Sequence, residues 1–225
     1  MARVRLYFRG EKDYSFPKDF DDQLSYGFVN IISDCIKSDD EFSDFEFFTF
    51  SDFTLGQFSE YGAFLISLDG IVHVDVSSVS EFFLRRLISY ITLRNNFHYN
   101  DNYLSFFKFE FFEEVDFSSC ESSFICVSPI CLLNFSGRGL FSALENILKN
   151  NYCTFHGLKK CDFYCEITTQ GDIFQKYVEK SNSKFNNYFY FLDLLLVGDE
   201  ELISFAYDGG LGNNTNNGFG MLDLY

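Results

Sequence analysis

Tryptophan is absent from the 225 residues, and acidic side chains outnumber basic ones 33 to 17. No two cysteines stand in a CxxC pair, and no apolar run approaches the length of a membrane span. Each shortage closes off a class of protein. With 32 phenylalanines and no tryptophan, the core has to be built largely from phenyl rings. The 47% hydrophobic and 20% aromatic content is that of a packed chain rather than a disordered one. A net charge of -16 repels polyanions at long range and argues against indiscriminate nucleic-acid binding. Exposed charges are screened within about 8 Å at physiological salt, however, so a local cluster of arginines can still hold a phosphate. Cys35, Cys120, Cys126, Cys131, Cys153, Cys161 and Cys165 are odd in number, and several stand in apolar runs. They read as reduced thiols of a cytoplasmic protein. Cys153, Cys161 and Cys165 with His156 match no common zinc spacing, so no metal or cofactor is expected. The opening Met1-Ala2-Arg3-Val4-Arg5 lacks the apolar core of a signal peptide. The most apolar stretch, Tyr188 to Val197, carries Asp193 and is far shorter than the roughly 18 to 20 residues a membrane helix needs. No membrane association is expected.

The length suits one large domain or two of roughly 100 residues. Val4, Leu6 and Phe8 alternate with Arg3, Arg5, Tyr7 and Arg9, which predicts a strand with one buried face and one basic, aromatic face. Leu24, Phe28, Ile31, Ile32 and Cys35 fall on one stripe of a helix over residues 20 to 37. Strands are expected at Phe45 to Phe53, Ala63 to Leu68 and Ile71 to Val76, the last two joined as a hairpin through Asp69-Gly70. Ser78-Val79-Ser80-Glu81 fits a capping box opening a second helix on Val79, Phe83, Leu87, Tyr90 and Ile91. Phe106-Phe107-Lys108-Phe109-Glu110-Phe111 alternates like a strand. Ser136-Gly137-Arg138-Gly139 precedes a third helix on Leu140, Leu144, Ile147 and Leu148, and strands follow near Phe163 to Thr168 and Tyr188 to Val197. The fold class is α+β, with similar element spacing in two halves, 1–118 and 119–225.

The tail reads Gly209-Gly210-Leu211-Gly212-Asn213-Asn214-Thr215-Asn216-Asn217-Gly218-Phe219-Gly220. A glycine-rich loop of this kind lets amides approach a phosphate or another backbone closely. Composition alone favours a glycine-bent connection between a helix and the last strand. Together with the N-terminal arginine strand, Phe48-Thr49-Phe50-Ser51 after the first helix, and Ser128-Pro129-Ile130 in mid-chain, the order and spacing resemble the CRISPR repeat-processing endoribonucleases of the RAMP superfamily. The resemblance implies tandem ferredoxin-like (RRM-like) domains facing across a cleft, with the glycine loop at the RNA-binding face and CRISPR repeat RNA as partner. It places RNA binding on Arg3, Arg5, Tyr7 and Arg9 and on Gly209, Gly210, Gly212, Asn213, Asn214, Gly218 and Gly220.

The reaction implied is metal-independent attack of a ribose 2′-hydroxyl on the adjacent phosphate, leaving a cyclic phosphate. It needs a base, an acid and a cation at the reacting atoms. The family often uses a histidine after the first helix, a tyrosine on it and a lysine before the Phe-Thr pair. This chain departs from that pattern: Asp40 or its neighbours, Val29 and Glu46 fall at those places, and Tyr26 and Lys37 are the nearest substitutes. The loop carries asparagines where relatives often carry Lys or Arg. The resemblance therefore implies repeat RNA recognition with cleavage reduced or lost. The alternative is an acidic, non-catalytic protein of the same fold that docks on other CRISPR-associated or RNA-binding proteins. His73, His98 and His156 read as structural or surface histidines, with His73 and Asp75 sharing a strand face. Arg85, Arg86 and Arg94, and Lys176, Lys180 and Lys184, are spaced to track a phosphate backbone or simply to solvate a helix.

Overall fold

Alternation along the first strand sets the architecture of the N-terminal unit. In β1 (Ala2–Arg9) the side chains of Val4, Leu6 and Phe8 are buried, so the strand presents one apolar face to the core. The computed structural model describes residues 2–18, 20–38, 42, 45–99, 102–133, 135, 139–178 and 187–225. Contacts divide them into two units, one of Ala2–Glu46 with Ser51–Glu113, the other of Phe47–Phe50 with Glu114–Tyr225. Among the described residues, no helix is long and apolar enough to cross a membrane.

The elements run β1, β2 (Ser15–Pro17), α1 (Phe20–Lys37), β3 (Phe48–Phe50), β4 (Thr54–Leu55), β5 (Phe58–Tyr61), β6 (Phe64–Ser67), β7 (Ile71–Ser78), α2 (Glu81–Arg94), β8 (Asn96–Tyr99) and β9 (Asn102–Phe111). In the N-terminal unit the order β7-β1-β9-β8 forms an antiparallel sheet, with β4 also on β7, and β2-β6-β5 forms a second. Leu24, Phe28, Ile32 and Cys35 of α1 and Phe83, Leu84, Leu87, Ile88 and Ile91 of α2 are the buried stripes. Phe8 meets Phe28 edge-on at 6.4 Å and Phe106 at 6.0 Å. Each such pair contributes about 0.5–1.5 kcal/mol beyond burial, so the phenyl core expected from composition is present.

Several local expectations are corrected. Asp69-Gly70 is a turn, with Gly70 at φ +70° and the Asp69 carboxylate accepting the Ile71 N–H at 2.9 Å. It is no hairpin: β6 pairs with β5 and β2, whereas β7 pairs with β1. The helix cap is Ser80, whose hydroxyl accepts the Phe83 N–H at 3.2 Å. Ser78 cannot open the helix because it is still paired with Ala2 at the end of β7. The strand expected over residues 45–53 is only the three residues of β3.

The C-terminal unit continues with β10 (Glu121–Cys126), β11 (Ile130–Leu133), α3 (Leu140–His156), β12 (Cys165–Thr169), β13 (Phe174–Val178), β14 (Asn187–Phe191), β15 (Leu194–Gly198), α4 (Glu200–Gly209) and β16 (Leu222–Leu224). Its antiparallel sheets have the orders β12-β15-β10-β16 and β11-β14-β13. The single strand expected from Tyr188 to Val197 is thus two, broken at Leu192-Asp193 and divided between sheets. Phe117, Phe124 and Tyr207 pack ring to ring under the first sheet. Asp40 and Glu41, Ser136 to Arg138, Lys180 and Lys184 lie outside the described residues.

Candidate nucleic-acid interface

Residues of β1 that point away from the core meet partners on both neighbouring strands. The ladders set Arg5 opposite Asp75 and Glu110, and Tyr7 opposite His73 and Lys108. A register shift between Tyr7 and Phe8 then accommodates Phe107 beside Arg9. Arg5 donates from Nε and Nη2 to the two Asp75 oxygens at 2.6 and 2.8 Å, a bidentate pair. That bond to Asp75, more than any other cause, holds the guanidinium in its charged form. Tyr7 donates its hydroxyl to Glu110 at 2.7 Å, and its phenol is held protonated first by burial and then by that bond. Lys108 lies 4.3 Å from the centre of the Tyr7 ring. It also pairs with Glu110, an interaction that raises the ammonium pKa and lowers that of the carboxyl.

His73 stands 5.7 Å, ring to ring, from Tyr7. Burial and then the Arg5 charge push its pKa below the usual 6.5, so it is a neutral imidazole at neutral pH. The coupling of His73 with Asp75 suggested by their shared face does not form a hydrogen-bonded pair of its own, because Arg5 occupies both oxygens. Arg9 is exposed, lies 3.7 Å over the Phe107 ring, and among the described residues has no acidic partner. The fourth arginine-face residue differs from expectation: Arg3 is only 5% exposed, with Phe112 5.9 Å away. The open face therefore consists of Arg5, Tyr7 and Arg9 joined by His73, Lys108 and Phe107. Guanidinium, phenol, imidazole and phenyl groups in one row suit base stacking and phosphate contact. Sequence reading left Lys108 and Phe107 out of this face and took His73 as a structural or surface histidine, because only the pairing register brings the three beside β1. The alternation of Phe106 to Phe111 was the one signal for Lys108 and Phe107.

The glycine loop is built in the opposite sense. Its N–H groups bond inward: Gly210 to Ala206 O, Leu211 to Gly220 O, Asn213 to Cys131 O, Gly218 to Thr215 O and Gly220 to Pro129 O. Gly220 sits at φ +73°, and a Cβ there would lie 1.9 Å from Leu211 O. At Gly218 a Cβ would lie 2.5 Å from the Phe50 ring. Gly209, Gly210 and Gly212 are buried as well. These glycines allow backbones to close on one another, and the amides expected at a phosphate are spent inside the unit. Asn213 accepts the Leu133 N–H through its side chain at 3.1 Å, and Asn214 donates toward Cys131 Sγ at 3.8 Å. Cys131 is itself a protonated thiol, pushed up to about 11 chiefly by burial. Asn217 is the exposed member.

What the loop closes on is the other motif segments. Thr49 donates its hydroxyl to Phe219 O at 2.9 Å, and Met221 N–H donates to Ser128 Oγ at 2.9 Å. Phe48-Thr49-Phe50, Ser128-Pro129 and Gly218-Phe219-Gly220, far apart in sequence, therefore meet in one buried junction. Residues 112–224, just over half the chain and including two of these three segments, match the family model described as CRISPR associated protein Cas6, C-terminal. The chain belongs to the Cas6 family. The structure described as "CRISPR associated protein Cas6" is 19% identical with a TM-score of 0.81, over 100% of this chain and 99% of that one. "An RAMP protein binding different RNA substrates" is 16% identical with a TM-score of 0.79, over 100% of both. A Cas6-related protein from Pyrococcus furiosus is 15% identical with a TM-score of 0.76, over 100% and 98%. At these identities the likeness is one of fold: the α+β architecture is the tandem ferredoxin-like arrangement of Cas6 and RAMP proteins. Among curated proteins, none matches the sequence.

The substitutes for the family's catalytic groups do not assemble with each other. Tyr26 is exposed and Lys37 lies at the end of α1. Eleven residues of helix separate them by roughly 16 Å along the axis, beyond joint reach of one phosphate. Val29 is half-buried and Glu46 exposed. The arginines of α2 have partners, Arg85 with Glu81 and Phe111, and Arg94 with Asp34 and Tyr90. His156 packs on Tyr152 and Phe155. Among the described residues, no group of three or more His, Cys, Asp or Glu is placed to hold a metal ion.

Proposed function

We propose that this Cas6 family member recognises CRISPR repeat RNA on the open face of its N-terminal sheet, with Arg9, Tyr7 and Phe107 as the leading contacts. The observation that carries the reading is the stacked, acid-free Arg9 beside the Tyr7 and Phe107 rings. It is a cation and an aromatic platform in a chain whose overall charge of -16 demands a local site. A relative in fold is described as a RAMP protein binding different RNA substrates, which supports the same partner here. Arg5 is a positioning residue, held by Asp75, that lends charge without swinging free. Asn217, the exposed asparagine of the glycine loop, adds a neutral polar contact at most.

Anisotropy titration of labelled cognate repeat RNA tests this. The expected result is saturable binding whose affinity falls as salt rises. Arg9→Ala lowers affinity and flattens the log-log salt slope by about one. No saturable binding at low salt overturns the proposal.

A further inference from the structure

The connection from α3 to β12 gathers three cysteines, Cys153, Cys161 and Cys165, at one place in the C-terminal unit. α3 ends at Gly157 in the left-handed region, and the Leu158 N–H donates to Cys153 O at 2.8 Å. The chain then doubles back along the last turn of the helix. Phe163 meets Tyr152 edge-on at 5.2 Å, and the Tyr164 N–H donates to the Asp199 carboxylate. Between these anchors Cys161 faces Cys153, with the two thiols within hydrogen-bonding reach of one another. Burial first, and then the Cys161 thiol, raise the pKa of Cys153 and keep it protonated. Both residues are half-buried, whereas Cys165, the first residue of β12, is only 4% exposed. His156 packs on the Tyr152 and Phe155 rings, and among the described residues these thiols complete no metal-ligand set with it.

We propose that Cys153 and Cys161 are a reversible dithiol–disulfide site, oxidised by a small-molecule disulfide, whose closure pins the end of α3 to the segment that enters β12. One cysteine thiolate attacks a sulfur of the small disulfide, forming a mixed disulfide and releasing one small thiol. The second cysteine thiolate then attacks the protein sulfur of that bond, closing Cys153 to Cys161 and releasing the other small thiol. Two electrons pass from the protein sulfurs to the oxidant, and the two cysteine protons end on the released thiols. A disulfide needs its sulfurs about 2.05 Å apart and its Cβ atoms roughly 3.5–4.5 Å apart. Thiols already in contact reach that geometry by a small movement, and the turn has slack to supply it. Residues 157–160 and 162 are exposed, and a Cβ at Gly157 would meet nothing within 4 Å. Lys149, one helical turn before Cys153, and the exposed Lys159, two residues before Cys161, place cations near the pair. They suit an anionic oxidant such as oxidised glutathione. In reducing surroundings the pair rests as two thiols, and disulfides that form there are transient and redox-sensing.

Equilibrating the reduced full chain in glutathione buffers of rising disulfide fraction tests this without reference to RNA. After alkylation, trypsin releases residues 150–159 and 161–176 as separate peptides. The expected product is these two peptides joined, with fragmentation placing the bond on Cys161 rather than Cys165. The oxidised protein is lighter by two hydrogens, which dithiothreitol restores. Cys165→Ser keeps the link, and Cys153→Ser and Cys161→Ser each abolish it. The equilibrium constant for the bond is expected to be about tenfold or more higher in the folded chain than in the same chain in urea, because the fold already holds the thiols together. Slower hydrogen exchange at the Leu158 amide in the oxidised form is the second expected readout. Thiols that stay free across the whole glutathione range, a bond from Cys161 to Cys165, stable glutathione adducts on both cysteines, or equal constants in the folded and unfolded chains overturn the proposal.

Discussion

The open face of the N-terminal sheet and the glycine loop of the C-terminal unit hold residues of the kinds that bind RNA, yet they use them in opposite directions. Along β1, β7 and β9 the side chains project outward and are ordered by one another: Arg5 by Asp75, Tyr7 by Glu110 and Lys108, Arg9 by Phe107. In the loop the backbone turns inward, and its amides bond to Gly220, Cys131, Thr215 and Pro129 carbonyls. A motif that stands out in sequence through its glycines is here a closure of the fold. A face that looks like ordinary strand alternation is where chemistry is on offer.

Breaking that comparison starts with the largest effect, on the loop. Gly220→Ala forces a Cβ onto Leu211 O and a side chain into a left-handed backbone, at a cost of about 3 kcal/mol or more. Urea denaturation followed by a probe in the C-terminal unit reads that loss. Thr49→Val strands the Phe219 carbonyl in a buried junction and costs roughly 1–2 kcal/mol, whereas Thr49→Ser keeps the donor and recovers most of it. On the sheet face the expected changes are in RNA affinity, with stability held. Tyr7→Ala removes a stacking surface worth about 1–3 kcal/mol per base, measured by titration at fixed salt. Asn217→Ala, on the loop, leaves that affinity unchanged.

The smallest effect is a pH dependence. His73 has a folded pKa below the ordinary 6.5 because of burial and Arg5, so the unfolded chain binds its proton first as pH falls. Stability therefore declines from about pH 6.5 down to the folded value and the loss levels off below it. His73→Gln removes that component, so the stability difference between variant and wild type changes only in that window. An NMR midpoint for His73 at or above 6.5 contradicts the placement.

Periodic elements were legible from the sequence: α1 was expected over residues 20 to 37 and spans Phe20–Lys37, because a five-residue apolar stripe at helical spacing fixes it. Pairing was not. The turn at Asp69-Gly70 was visible, but which strands it joined depended on β6 finding β5 and β7 finding β1, a tertiary choice. The broken run at Leu192-Asp193 was hidden for the same reason, since two apolar strands in different sheets look like one in sequence. Of the candidate site, Arg5, Tyr7 and Arg9 could be read from alternation. Arg3 is buried although it follows the same pattern, and His73, Lys108 and Phe107 join the face only through register and a bulge.

Ultraviolet crosslinking of cognate repeat RNA to the wild-type protein, with the attached peptides located by mass spectrometry, tests the division between the two regions most directly. Crosslinks on Tyr7 and Phe107 are the expected result. Crosslinks confined to residues 213–219 of the glycine loop, with β1 and β9 unmarked, would contradict it.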